Sequence, residues 1–210
     1  MKFSLVLSSN LRSFIYIKEL IDASLFPTSI IFLIKNKNKV INKKILRVVN
    51  KIKNVSIFKY ETDTIDEPIV VNKILKIKET VIIYSGYSGK IIKNKKLLNN
   101  KLFVHSHPGK LPFFKGSTTI YYSIIKLNKV YCTTFIMNSS IDDGKILLVK
   151  QYPLPKNFIN LDEFDNYIRI KNIIIVLKNF TKFINIKQKK YLKFYPHYYI
   201  AHPVLRYLVF

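Results

Sequence analysis

The sequence predicts an α/β fold with a mostly parallel central sheet flanked by helices. Three observations predict it. Through the first half of the chain, apolar runs of strand length alternate with segments whose apolar residues recur at helical spacing. The first of these repeats, ending near Ile34, is a strand, helix, strand pattern that demands parallel pairing and a right-handed crossover. An apolar content of 49% over 210 residues is enough for a buried core and excludes a disordered chain.

The elements follow in order. Lys2 to Ser8 is a short apolar run that stops at Ser8, Ser9 and Asn10; Phe14, Ile15, Ile17, Leu20 and Ile21 then lie at helical spacing. Pro27 closes that helix and Ser29 to Ile34 is a buried strand. Lys43 to Ile52 reads as a helix, Val55 to Lys59 as a strand, Ile69 to Ile77 as a helix and Thr80 to Tyr84 as a strand. Turn residues follow at Ser85, Gly86, Tyr87, Ser88 and Gly89. Leu102 to His105 is the next strand, leading into a stretch punctuated by Pro108, Gly109, Pro112 and Gly116. Thr118 to Leu127 reads as a helix, Val130 to Met137 as a strand, Asn138 to Gly144 as a loop and Lys145 to Tyr152 as a strand. Asn160 is placed to cap a helix starting at Leu161, with Asp162 and Glu163 in its first turn, running to about Ile184. The remaining residues read as a Lys- and Tyr-rich tail of less regular structure. Without an internal repeat or a linker, the chain is expected to be one domain, 1–210, with a βα half over 1–100, a catalytic half over 101–155 and a C-terminal helix and tail over 156–210.

Charge narrows the partners. Lys and Arg number 36 against 12 Asp and Glu, for a net charge of +24. Such an excess favours polyanions, nucleic acid among them. The excess is nearly all lysine, in segments such as NKNKVINKK and KIIKNKKLLNNK that composition bias alone would produce, and arginine is the residue that reads base edges. Nucleic acid is therefore an admissible partner and not the favoured one. The single cysteine, Cys132, excludes an internal disulfide and a multi-cysteine zinc site, and is expected to be a small buried residue in a reducing compartment. No apolar run approaches the length of a membrane helix, and MKFSLVLSSNLR reads as a first strand rather than a signal peptide. A cytoplasmic protein is expected.

The sharpest local pattern is Val104-His105-Ser106-His107-Pro108-Gly109. Residues two apart on a strand share a face, so His105 and His107 are expected to project together at the carboxyl edge of a parallel sheet, where open α/β folds bind ligands. Three readings fit the spacing: two hydrogen-bonded histidines stabilising a turn, a His/His/Asp metal set completed by Asp142 or Asp143, or a metal-free acid–base set in which Asp142 orients an imidazole.

Three linked segments, VIIYSGYSGKI, VHSHPGKLPFFKGSTTIYYSII and FIMNSSIDDGKILL, give residues 81–150 a specific resemblance. They are similar to the formyltransferase family that uses 10-formyltetrahydrofolate, which includes glycinamide ribonucleotide, methionyl-tRNA and nucleotide-sugar N-formyltransferases. The family's pattern runs Asn, any residue, His, Pro, then Leu-Pro, and later Asp, any residue, Gly; His107, Pro108, Leu111, Pro112, Gly116, Asp142 and Gly144 match it. The resemblance implies a Rossmann-like formyltransferase fold, a catalytic His107 and Asp142, 10-formyltetrahydrofolate as co-substrate and no metal. It also implies that Ser85, Gly86, Tyr87, Ser88, Gly89 and Lys90, with Ser139, Ser140, Ile141 and Asp143, hold the folate. His105 stands where the family has an Asn that donates to the oxyanion. An imidazole N–H also donates, so His105 is taken as a third catalytic residue, with a retuned or retired enzyme as the alternative.

Within the family, the first loop, LVLSSNLRS, lacks the glycine-rich phosphate cradle of the ribonucleotide enzymes. About 60 residues after Gln151 are few for a separate tRNA-gripping domain. The acceptor expected is thus an amino group on a nucleotide-linked deoxyamino sugar, as in the O-antigen of lipopolysaccharide; a homodimer is left open. His197 and His202 are expected to pack structurally against Tyr198 and Tyr199, with one of Tyr121 and Tyr122 facing the core and Asp143 a solvated neighbour of Asp142.

Overall fold

The structure, a computed structural model, describes residues 1–155, 161–188 and 195–209. Its main sheet has seven strands in the order β3-β2-β1-β4-β5-β7-β8, all parallel pairs in its first half and an antiparallel pair at β7 and β8. The chain divides into two compact units, Met1–His105 and Ser106–Phe210.

In the first unit, β1 (Ser4–Ser8), β2 (Ser29–Leu33), β3 (Ser56–Tyr60) and β4 (Val81–Ser85) alternate with α1 (Leu11–Asp22), α2 (Lys39–Val49) and α3 (Pro68–Lys76). Beyond them lie α4 (Lys95–Asn100) and the start of β5 (Leu102–His107). The strands β1, β2 and β4 are buried along their whole length, which explains why they read as unbroken apolar runs rather than alternating ones. Helix α1 begins where the Asn10 side chain accepts from the Ser13 amide, and it buries Tyr16, Ile17 and Leu20. Full burial of each such side chain stabilises by about 2 kcal/mol. The helix expected from Lys43 starts earlier, at Lys39, and α4 is an element that the apolar spacing did not reveal.

The second unit holds the end of β5, β6 (Lys115–Gly116), α5 (Thr119–Leu127), β7 (Val130–Met137), β8 (Gly144–Tyr152), α6 (Leu161–Lys178), α7 (Phe180–Ile184), β9 (His197–Tyr198) and α8 (Pro203–Tyr207). Its core joins Ile120, Tyr121 and Ile124 of α5, Val130 and Cys132 of β7, and Leu161 and Ile168 of α6, with Ala201 and Val209 from the tail. Tyr121 is thus the core-facing member of its pair, and Cys132 is a buried free thiol. Asn172 pins α6 to the hairpin, donating to the Cys132 carbonyl at 3.0 Å and accepting from the Tyr152 hydroxyl at 2.9 Å.

Two expectations are corrected. The long helix is interrupted at Asn179, whose φ of −133° and ψ of 36° lie outside the helical region, so α6 and α7 are separate helices. The tail, expected to be irregular, carries β9, paired in parallel with β6, and α8, which the His202 imidazole caps by accepting from the Val204 amide at 3.3 Å. The expected cap of α6, Asn160, lies outside the described residues. No helix among the described residues is long and apolar enough to cross a membrane.

Candidate active site

The β5 strand ends at His107, and the segment after it folds back to build a pocket around that ring. Pro108 and Gly109 turn the chain, the Leu111–Pro112 peptide is cis, and the Phe114 carbonyl returns to the imidazole. Thr133 on β7 ties this turn down: its hydroxyl donates to the Gly109 carbonyl at 2.6 Å and accepts from the Leu111 amide at 3.1 Å. Gly109 is required by space, because a Cβ there would stand 2.9 Å from both His107 Nε2 and the Phe114 carbonyl oxygen.

The His107 ring is buried, with partners at both nitrogens. Nε2 lies 2.7 Å from the Phe114 carbonyl oxygen, which only accepts, so Nε2 carries a hydrogen. The Thr119 hydroxyl, 3.0 Å away, donates to the Pro108 carbonyl and turns a lone pair to the same Nε2–H. Nδ1 lies 3.2 Å from Asp142 Oδ1, while the Gly116 amide donates to Asp142 Oδ2 at 2.7 Å. With its hydrogen on Nε2, a neutral ring would point the Nδ1 lone pair at a carboxylate. Nδ1 and Asp142 Oδ1 stand close enough to pass a proton between them.

Asp142 reaches the ring from the β7–β8 turn, at a left-handed φ of +45°. Gly144, at φ +134°, permits this turn: a Cβ there would meet the Ile136 carbonyl oxygen. Beside it, Asp143 accepts from Lys115 Nζ and from the Asn138 amide, each at 2.8 Å. Burial raises its carboxyl, but these two donors outweigh it and hold the group below the ordinary aspartate range. The Asp143 side chain is solvent-exposed, as expected from the sequence, and it also braces the turn through its salt bridge. Ser139, Ser140 and Ile141 form its exposed tip, with the Ser140 amide donating to Asn138 Oδ1. From α6, Arg169 forks onto Asp165 and donates to the Ser106 carbonyl at 2.9 Å, steadying the strand end that carries His107.

In the first unit, His105 Nδ1 donates to the Tyr84 carbonyl at 3.0 Å. That bond fixes the tautomer, so Nε2 carries a lone pair in the neutral ring and a donor hydrogen only in the imidazolium. Among the segments expected to hold folate, Ser85 is buried in a hydroxyl cluster: its Oγ bonds Ser13 Oγ at 2.9 Å and its carbonyl accepts from Ser8 and Ser13. Gly86 is buried too, its carbonyl accepting from Arg12, whereas Ser88 and Gly89 are exposed. The Tyr87 hydroxyl accepts from the Ser9 amide and donates to the Leu33 carbonyl; Lys90 pairs with Asp63 at 2.9 Å. Burial lifts the Tyr84 phenol to about 12.

Four amides around the loop after β1 are committed within the protein. The Ser8 amide donates to Ser13 Oγ, the Ser9 amide to Tyr87, the Asn10 amide to the Ser8 carbonyl and the Ser13 amide to Asn10 Oδ1. Every one of these donors is consumed internally. Among the described residues, no group of three His, Cys, Asp or Glu side chains is placed to hold a metal, so the His/His/Asp metal reading is not met. The sequence did not single out the Phe114 carbonyl, the Gly116 amide, Thr119, Thr133 or Arg169.

A buried histidine–aspartate pair at the carboxyl end of a strand in a mostly parallel α/β sheet stands where enzymes of this fold class bind their ligands. The chain belongs to the formyl transferase family, whose model matches residues 4–187. It is 28% identical over 138 residues to the methionyl-tRNA formyltransferase of Helicobacter pylori (strain ATCC 700392 / 26695), covering 65% of this chain and 43% of that protein. The chain thus spans less than half the length of the curated relative it matches. In fold it is similar to a sugar N-formyltransferase from Shewanella sp. FDAARGOS_354, with a TM-score of 0.64, 22% identity, and coverage of 95% of this chain and 77% of that one. A 4-N formyltransferase from Francisella tularensis gives a TM-score of 0.65 at 16% identity, with coverages of 95% and 76%. Phosphoribosylglycinamide formyltransferase from Bacillus halodurans gives 0.62 at 15% identity, with coverages of 86% and 95%.

Proposed function

We propose that the protein is an N-formyltransferase that moves the formyl group of 10-formyltetrahydrofolate to an amine carried by a nucleotide-linked amino sugar of surface-polysaccharide synthesis. The observation that carries this reading is the buried His107–Asp142 pair, its Nδ1 and Oδ1 3.2 Å apart. The acceptor amine adds to the formyl carbon, and the carbonyl oxygen becomes an oxyanion. The new C–N bond leaves the amine nitrogen positively charged, and the pair takes its proton. Collapse breaks the bond to the folate N10, which leaves with a proton. In this reading His105 donates to the oxyanion from Nε2 as an imidazolium, because its Nδ1–H is committed to Tyr84. The exposed residues of Gly86 to Lys90 and the turn from Ser139 to Asp143 contact the folate, while Ser85 supports the first of these segments from inside.

The internally consumed amides of the loop after β1 favour an acceptor whose phosphate is held elsewhere, and the likeness to the Shewanella and Francisella proteins points the same way. Methionyl-tRNA is the second reading, favoured by the Helicobacter relative and by the charge of +24.

The test is release of tetrahydrofolate from 10-formyltetrahydrofolate with a panel of nucleotide-linked amino sugars and methionyl-tRNA as acceptors. His107→Ala and Asp142→Asn are each expected to lower turnover by about a hundredfold or more. Undiminished turnover in both variants would refute the assigned roles.

A further inference from the structure

A cavity of about 760 Å³ opens beside Asp142 along β8, within the range of sites for small organic ligands. Its outer wall is residues 186–188, and one side chain holds that wall in place. Gln188 accepts from the Ile146 amide at 2.8 Å and donates to the Ile146 carbonyl at 3.0 Å, which mimics the pairing of an added strand. Phe183 and Tyr195 give the cavity aromatic surface, and Tyr195 is itself steadied edge-on by Phe113 at 5.0 Å. Three lysines line it, Lys115, Lys145 and Lys187. Lys115 is neutralised by Asp143 at 2.8 Å, whereas Lys145 and Lys187 make no ion pair among the described residues. Two uncompensated ammonium groups beside aromatic surface suit a ligand that joins a ring to several negative charges.

The Ser8, Ser9, Asn10 and Ser13 amides around the loop after β1 are committed to internal partners, which leaves that loop few donors for the anionic part of an acceptor. We propose that the cavity along β8 binds the nucleoside diphosphate part of the acceptor, with Lys145 and Lys187 on the diphosphate, Phe183 and Tyr195 against the base, and the sugar amine directed to Asp142. The assignment rests on the reading of the protein as a formyltransferase of nucleotide-linked amino sugars, and it places the substrate's handle in the second unit alone.

The probe is uridine diphosphate, measured by calorimetry on the whole protein, with Lys145→Ala/Lys187→Ala against the control Lys150→Ala on the same strand. All three lysines reach solvent, and circular dichroism verifies folding. The double variant is expected to lose at least about tenfold in affinity, and the control none. Binding of uridine diphosphate should also weaken with salt in the unmodified protein and far less in the double variant. Equal affinity in the double variant and the control, or no binding of uridine diphosphate by a protein that transfers formyl groups, overturns the assignment. So does a double variant that keeps its affinity for uridine diphosphate while its KM for 10-formyltetrahydrofolate rises, which gives the cavity to the folate tail. Lysine-dependent binding in a protein that transfers no formyl group to any acceptor upholds the nucleotide site and refutes the formyltransferase reading.

Discussion

Nδ1 of His107 and Oδ1 of Asp142 stand 3.2 Å apart, and the Phe114 carbonyl on the far side of the ring decides what that distance means. Because a carbonyl only accepts, the ring cannot turn its single neutral-state hydrogen toward Asp142. The Gly116 amide donates to the other carboxylate oxygen at 2.7 Å, so each oxygen of Asp142 has a partner. Asp142 is also the more open of the two, its side chain 14% exposed against 4% for His107, and it lines the cavity along β8. In the proposed reaction the carboxylate side is thus the open approach to the pair.

Gly109 sets how closely the His107 ring can be held. Gly109→Ala puts a methyl group 2.9 Å from Nε2 and from the Phe114 carbonyl, and 3.0 Å from Thr119 Oγ1. Overpacking of this kind costs about 1–3 kcal/mol, and here the His107 ring and its Thr119 partner must give way because the Phe114 carbonyl is backbone. Formyl transfer is expected to fall by more than the loss of thermal stability explains. A variant with unchanged turnover would show that the ring has slack, and the tightness of this pocket would be without consequence.

His105→Asn tests the meaning of the Tyr84 bond. With Nδ1–H donated to that carbonyl, His105 offers a second donor only in its doubly protonated form, whereas an asparagine amide donates at any pH. Turnover in the unmodified enzyme should gain from the imidazolium as pH falls, offset by protonation of the acceptor amine. The variant should lose that acid-side gain and hold its rate better on the alkaline side. Superimposable pH profiles of kcat would remove His105 from the oxyanion.

What was legible in the sequence depended on periodicity and local chemistry. The fully buried β1, β2 and β4 announced themselves as unbroken apolar runs, and the resemblance of the segments around His107, Asp142 and Gly144 to the formyltransferase pattern pointed to the pair. The interruption at Asn179 was hidden because apolar residues continue at helical spacing on both sides of it, from Ile173 to Phe183. Pairing of Lys115 and Gly116 with His197 and Tyr198 joins two-residue strands far apart in the chain, which no local pattern encodes. The partners that orient the His107 ring are a carbonyl and a threonine at a helix start, and main-chain groups have no sequence signature. Ser85 illustrates the converse: in a turn-rich motif it looked like a ligand contact, but Ser8 and Ser13 claim it from α1 and β1.

Asn172 is the buried polar residue whose loss should be most costly to folding outside the site. Asn172→Leu keeps the branching of the side chain and leaves the Cys132 carbonyl and the half-buried Tyr152 hydroxyl without their partner. Each unsatisfied buried group costs about 1–3 kcal/mol, so Tm should drop by about 5 °C or more. A variant as stable as the parent in calorimetry would mean that α6 and the hairpin repack to satisfy both groups.

Asp143 gives the β7–β8 turn a dependence on acid. Its carboxyl is held below the ordinary value of 3.8, since the Lys115 ammonium and the Asn138 amide prefer the carboxylate and outweigh burial. A group whose folded value is depressed stabilises the fold above its unfolded value and loses that contribution as pH falls through the folded one. The contribution is therefore complete at neutral pH and fades below about pH 4. Asp143→Asn never has it, so the Tm difference between parent and variant should be widest near neutrality and close progressively with acid. The side chain is 45% exposed, so the gap should be small and should narrow further in high salt. A gap that stays constant from neutral pH down through the acid range would mean that the Asp143 contacts with Lys115 and Asn138 contribute by shape and not by charge.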